Sequence, residues 1–302
     1  MFNSFYQYIF NYNSNNSEKI INIQPGTTLN DISALLKSNG FIDSKIVFKI
    51  WIKINNLEKE LKFGEYNIKK NISIGDLAKI LTLGKTINRF FTIPEGFSKF
   101  QLHSKLLSNN KIPYSSQENI LPDILIADTY SFTINNKFDD IIKRIKKKSM
   151  EESMTIWEAR DKSIPLNSIE EMFILASIVE KETAKNSEKN KISGVFFNRL
   201  ELGMRLQSDP TVIYALTKGK KLKRKLTRKD LKFKSDYNTY TTNGLPPSPI
   251  CYPGIDTLRA VANPYKGDFL YFVSDKKGGH LFSIDYAGHL EKIKQLKKKK
   301  IN

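Results

Sequence analysis

Apolar and polar positions fall into short blocks whose period changes along the chain. Lys19 to Ile23 (KIINI) has the β-rich character of a strand and runs into the turn pair Pro25-Gly26. Thr28-x-x-Asp31 then opens a segment with Leu29, Ile32, Leu35 and Leu36 at helical spacing. That is the signature of a capping box with Asp in place of Glu. The unit returns where Tyr66-Asn67-Ile68 precedes Ser73-x-x-Asp76 and then Leu77, Ile80 and Leu81. It returns more loosely where Phe90-Phe91-Thr92-Ile93 precedes Pro94-Glu95-Gly96. Residues 46–54 are apolar but carry Lys49 and Lys53, the pattern of a packed amphipathic element.

Further along, Asn109-Asn110 and Pro113 to Asn119 read as loop, and Asp139 to Met150 as a basic helix with Ile141, Ile142 and Ile145 on one side. Ser168-x-x-Glu171 caps the helix EEMFILASIVEKETAK. A second helical pattern begins at Ser187 and ends at Gly203; a third opens at Asp209-Pro210, with Asp209 as N-cap. The run Lys218 to Lys229 is expected as an exposed basic loop. DYNTYTTNGLPPSPICYPG predicts a long ordered loop, DFLYFVSDKKGGHLFSI a hairpin, and Asp285 the cap of a last helix. Small strands and helices in this order predict an α+β fold.

Composition changes this picture in two places. Of 302 residues 40% are hydrophobic, which excludes a wholly disordered chain. Lys and Arg number 49 against 31 Asp and Glu, a net charge of +18. Such a charge fits nucleic acid or an anionic membrane surface. The lysines, however, accompany a general excess of Ile and Asn, so they read as drift on solvated faces, and no nucleic-acid partner is expected. One cysteine, Cys251, excludes an intramolecular disulfide and a Cys-based zinc site. His103, His280 and His289 lie at no ligand spacing, so neither metal nor cofactor is expected. No run approaches the ~20 apolar residues of a spanning helix, and residues 1–17 are expected as a leader without one.

Candidate chemistry centres on Glu180-Lys181-Glu182-Thr183. Glu182 has Leu175, Ile178 and Val179 at i−7, i−4 and i−3, whereas Glu180 has Phe173, Ala176 and Ser177. Glu182 thus continues the more apolar face. A carboxyl there loses solvation and its pKa rises. A carboxyl protonated near neutrality is what a glycosidic leaving group needs as general acid. A helix-end glutamate in a salt bridge is the plain alternative, and the pattern leaves both open. Asn198, Arg199, Arg205, Gln207, Asp209, Asn238, Thr239 and Tyr240 then bring amides, hydroxyls and a ring, the groups that recognise sugars. Turn and cap chemistry also accounts for each.

The stretch LASIVEKETAKNSEKNKISGVFFNRLELGMRLQSDPTVIYAL resembles the endolytic murein transglycosylases of the MltG/YceG-like family. So does the collinear series after it: Leu226 to Leu231, Tyr237 to Tyr240, Gly244-Leu245-Pro246-Pro247, Pro253-Gly254, Asn263-Pro264, Tyr271-Phe272-Val273 and Gly279-His280. The resemblance is close over about 168–290 and weaker upstream. It implies a lyase that cuts nascent peptidoglycan strands internally and leaves 1,6-anhydro-muramyl ends. It implies a LysM-like subdomain at 18–85, a connecting α+β region at 86–165 and a catalytic YceG-like region at 166–302. Glu182, the second glutamate of the E-K-E-T motif, would be the catalytic acid. Asn198, Arg205, Gln207, Asp209, Asn238 and Tyr240 would bind substrate. Glycan strands and peptidoglycan synthases would be the partners, at the periplasmic face of the inner membrane, with membrane association through the family's anchor or the basic surface. Three features depart from the family: no spanning helix precedes the first strand, Pro122-Asp123 and Ala127 replace its Glu-Gly and Pro, and the region after Tyr214 is loaded with lysine. Three rival readings are a muramidase in which Asp209 activates water for Glu182, a non-catalytic peptidoglycan-binding protein, and a basic nucleic-acid binder, which binding that falls steeply with salt and ignores saccharide competition would support.

Overall fold

The computed structural model describes residues 17–109, 112, 114 and 121–298. The expected leader, apart from Ser17, and most of the Pro113 to Asn119 loop lie outside them. The chain divides into two compact units. One takes in the chain up to Phe91 together with Ser131–Lys137; the other holds Thr92–Tyr130 and everything from Phe138 onward.

The first unit is built from the strand–turn–helix units read in the sequence: β1 (Lys19–Ile23), α1 (Leu29–Ser38), α2 (Lys45–Ile54), β2 (Gly64–Ile68) and α3 (Ile74–Leu83). Thr28 and Ser73 cap α1 and α3 by accepting from the backbone N–H of Asp31 and Asp76. β1 and β2 pair antiparallel, from Lys19 opposite Ile68 to Ile23 opposite Gly64. Their inward side chains Ile21, Ile23, Tyr66 and Ile68 pack with Leu36, Phe48, Ile52, Leu77 and Leu81 in one core. β3 (Arg89–Thr92) pairs with β4 (Thr129–Phe132), and the boundary between the units falls within both strands.

The second unit contains α4 (Lys99–Leu107), α5 (Phe138–Glu158), α6 (Ile169–Glu182), α7 (Asn186–Glu201), α8 (Asp209–Thr217) and α9 (Ile255–Ala262), then the hairpin β5 (Tyr271–Ser274) and β6 (His280–Ser283), and α10 (Tyr286–Lys298). Its axis is α6, in which every residue from Met172 to Val179 is buried. A helix apolar on all sides belongs in a core. α5, α7, α8 and α9 all pack against it. Ile126, Ile156 and Ile164, upstream of α6, belong to the same core as that helix. α5 also runs one helical stretch beyond the Met150 expected from the sequence.

Two caps differ from expectation. Asp209 is the first residue of α8, not its N-cap; that position is held by Ser208, whose side chain makes no capping bond. At α6, Ser168 Oγ accepts from Glu171 N, but the Glu171 carboxylate accepts from the N–H of Asn167 at 2.7 Å, so the box closes one residue early. The Pro/Gly-rich loop is ordered as expected. It lies along α6, where Ser177 Oγ accepts from Ile250 N at 3.0 Å. Asp285 caps α10 by accepting from Gly288 N at 2.7 Å. Among the described residues no helix is long and apolar enough to cross a membrane.

Candidate active site

Because α6 is buried all round, both glutamates near its C-terminus face protein, and helix sidedness does not separate them. Their partners do. The Glu180 side chain is 5% exposed and fully compensated: it accepts from Gly254 N at 3.0 Å and from Thr257 Oγ1, and lies 3.5 Å from the buried Lys189 ammonium. Glu182, the last residue of α6, has one hydrogen-bond partner among the described residues, Ser208, whose Oγ donates to Oε1 at 2.5 Å. The residue keeps some accessible surface, but its carboxyl is densely surrounded by protein atoms. That crowding governs the carboxyl's solvation, and its pKa rises from 4.5 to about 7. Burial is the largest cause; Asp209 adds like-charge repulsion, while the Ser208 hydrogen bond, His280 and Arg199 pull the other way. The negative end of the helix dipole also disfavours a carboxylate there.

Ser208 is itself fixed by a buried hydroxyl network. Its N–H donates to Thr239 Oγ1 at 3.0 Å, its carbonyl accepts from Thr211 Oγ1 at 2.6 Å, and the two threonine hydroxyls are 2.8 Å apart. Gln207 N donates to the Thr239 carbonyl at 3.1 Å. The stretch before α8 and the stretch at Asn238 to Tyr240 are thereby laid side by side next to Glu182. Gln207 adopts φ +52, a left-handed conformation that a β-carbon disfavours and that clusters at functional sites.

A cavity of about 210 Å³ opens over the carboxyl, lined by Glu182, Gln207, Tyr240, Arg199, Tyr271 and His289 among others. Tyr240 Oη donates to Asp209 Oδ1 at 2.7 Å, and burial with this bond raises its pKa. Arg199 is buried; its Nε donates to Leu270 O and its Nη1 to Leu206 O, each at 2.7 Å, with the guanidinium 5.2 Å from the Tyr271 ring centre. Arg199 so fastens the hairpin to the floor of the cavity. At its far end the hairpin is clamped by Glu188, which accepts from His280 N and pairs with His280 Nδ1 at 2.7 Å. His289 stacks on Tyr271, and among the described residues its buried Nδ1 has no partner. Burial and the nearby Arg199 and Lys292 lower its pKa.

Of the residues singled out from the sequence, Glu182, Gln207 and Tyr240 meet at the cavity, with Asp209 one hydrogen bond behind Tyr240. Asn198, Arg205 and Asn238 do not. Asn238 is fully buried and donates to Leu231 O and Phe233 O while accepting from Tyr240 N. Asn198 donates to Gly267 O and Phe269 O, and Arg205 to Asn243 Oδ1 and Tyr240 O. These three hold loops in place. Arg199, noted in the sequence among the polar groups, also lines the cavity. Ser208, Tyr271 and His289 were not among the candidates: Ser208 reads in sequence as ordinary cap chemistry and the other two as hydrophobic-pattern neighbours, so only their convergence marks them. Among the described residues no group of three or more His, Cys, Asp or Glu could hold a metal ion.

The model of the YceG-like family matches residues 21–295. A Bacillus subtilis protein named endolytic murein transglycosylase is 29% identical, over 89% of this chain and 82% of its own. A Streptococcus pneumoniae protein of the same name is 28% identical over 91% of this chain, which spans 57% of that relative's length. The crystal structure of a yceG-like protein from Listeria monocytogenes superposes with a TM-score of 0.54 at 28% identity, covering 91% of this chain and 99% of that one. With the match running through both units and the E-K-E-T helix at the centre of the second, this chain belongs to the YceG-like family.

Proposed function

We propose that the protein is an endolytic murein transglycosylase, a lyase that cuts peptidoglycan glycan strands internally. The observation that carries this reading is the Glu182 carboxyl: buried, lifted to about 7, held by Ser208, and open to a cavity flanked by Gln207 and Tyr240. At neutral pH about half of such groups hold their proton. Glu182 donates it to the glycosidic oxygen as the bond to the muramyl C1 breaks and C1 gains oxocarbenium character. The resulting carboxylate takes the proton of the same ring's 6-hydroxyl while O6 bonds to C1. The acid is restored, no water is consumed, and a 1,6-anhydro end is left. An internal nucleophile has a high effective concentration, so one carboxyl suffices. Gln207 and Tyr240 would hold the ring, and Asp209 would hold Tyr240.

The β-α-α-β order of residues 19–68 supports a LysM-like role for the first unit, binding glycan. Action on nascent strands beside a synthase, at the periplasmic face of the inner membrane, rests on the family. Mass spectrometry of peptidoglycan after incubation with the protein tests the whole reading. Anhydro-muramyl internal fragments are expected. Reducing ends would assign a hydrolase, and unchanged strands a binding protein.

A further inference from the structure

The lysine-rich stretch after α8, expected as a solvated loop, is built into the second unit at both ends. Lys218 ends α8 at φ +50, and the carbonyl of Gly219 accepts from Ser98 Oγ at 2.7 Å. The approach is close: a β-carbon on Gly219 would lie 2.6 Å from the Ser98 side chain. At the other end Asp230 accepts from both Arg224 Nη atoms, at 2.5 and 2.8 Å, and from the N and Oγ1 of Thr227.

Between these anchors the loop walls a cavity of about 620 Å³, distinct from the one over Glu182. Lys181, Lys220, Lys221 and Lys225 bring cations to it, while Ile213, Tyr214, Leu222 and Leu226 give it apolar walls. Among the described residues no carboxylate lies within ion-pair distance of Lys220, Lys221 or Lys225. Asp209 is the carboxylate in the lining, and its Oδ1 accepts from Tyr240, which lines the Glu182 cavity. The Asp209–Tyr240 hydrogen bond therefore joins the linings of the two cavities.

We infer that this basic cavity seats a carboxylate-bearing peptide stem of the substrate, next to the sugar at Glu182. The inference rests on the reading of the protein as a peptidoglycan-cleaving enzyme. Muramyl residues carry short peptides with free carboxylates, so a strand laid over Glu182 brings a stem alongside the cleaved bond. Lysines on flexible stems beside aliphatic walls suit a short peptide of small apolar side chains and separated carboxylates. A phosphate group is served less well. The guanidinium fork that would grip it is occupied by Asp230, and the N-terminus of α8 opens with the Asp209 carboxylate, which opposes an anion there.

Calorimetry on the full chain tests this with three probes: an alanyl-γ-glutamyl-lysine stem tripeptide, its fully amidated counterpart and inorganic pyrophosphate. The protein variant is Lys220→Gln/Lys221→Gln/Lys225→Gln, three exposed side chains whose replacement leaves the core untouched. The tripeptide should bind, at least tenfold more tightly than the amidated form, and the variant should lose that difference. Tripeptide binding unchanged in the variant overturns the inference, as does pyrophosphate binding more tightly than the tripeptide. A kinetic arm compares strands with and without stems. For wild type, KM should be about tenfold lower with stems; in the variant the ratio should collapse to about one. A ratio unchanged in the variant also overturns it. Wild-type protein that cuts neither strand would sink the enzymatic reading alone, because the calorimetric result stands apart from turnover.

Discussion

Glu182→Gln replaces the carboxyl by a neutral amide of the same shape whose oxygen can still accept from Ser208 Oγ. The loss of activity it should cause has a thermodynamic counterpart. In the folded protein the carboxyl's pKa is raised from 4.5 to about 7, so between these values the native state binds a proton that the unfolded state has released. Stability of the wild type must then fall as pH rises through this window. Below pH 4.5 both states are protonated and the penalty vanishes; above 7 it is complete. The raised pKa corresponds to about 3 kcal/mol. The glutamine variant carries no such penalty. It should match the wild type near pH 4 and exceed it by about 3 kcal/mol at pH 8, or roughly 6–12 °C in Tm for a unit of this size. Urea or thermal unfolding of both proteins across pH 4–8 reads the difference directly. A difference that stays constant with pH, or a variant less stable than wild type at pH 8, would refute the claim that Glu182 is a desolvated, poorly compensated carboxyl. The catalytic assignment would then lose its physical basis even if the variant were inactive.

Other outcomes follow from the same geometry. If protonated Glu182 starts the reaction, kcat should fall tenfold per pH unit above about 7, and a rate flat to pH 9 would exclude it as the acid. Ser208→Ala removes the hydrogen bond that favours the carboxylate, so this limb should move to higher pH; Asp209→Asn removes a like charge and should move it lower. A shift of both in one direction would contradict the electrostatic account. Glu180→Gln should leave the pH limb in place but cost about 3 kcal/mol, because among the described residues the buried Lys189 ammonium then keeps only the half-exposed Glu95 at 3.9 Å; urea unfolding checks it. Asn238→Ala, which strips Leu231 O, Phe233 O and Tyr240 N of their partner, should cost about 2 kcal/mol in the same assay.

What the chain's pattern determined on its own is local. Thr28, Ser73 and Asp285 cap the helices they precede, KIINI is a strand, and DFLYFVSDKKGGHLFSI is a hairpin, because each depends on groups a few residues apart. The apolar helix face pointed to Glu182, and the resemblance added the family and pointed to the same residue. The separation of Glu182 from Glu180 came from tertiary structure: α6 is buried on every side, so periodicity carries no information about which carboxyl is compensated. That depends on Lys189 and Thr257 reaching Glu180, and on Ser208 reaching Glu182 from 26 residues away. Polar composition likewise marked Asn198, Arg205 and Asn238 together with Gln207 and Tyr240. An amide has the same letter whether it faces a cavity or satisfies buried carbonyls, and only the folded chain assigns Asn238 to Leu231 and Phe233. The lysine stretch shows the same limit. Charge density alone reads as a solvated face, and it becomes the wall of a cavity because Ser98 and Asp230, distant in sequence or turned inward, fix its two ends.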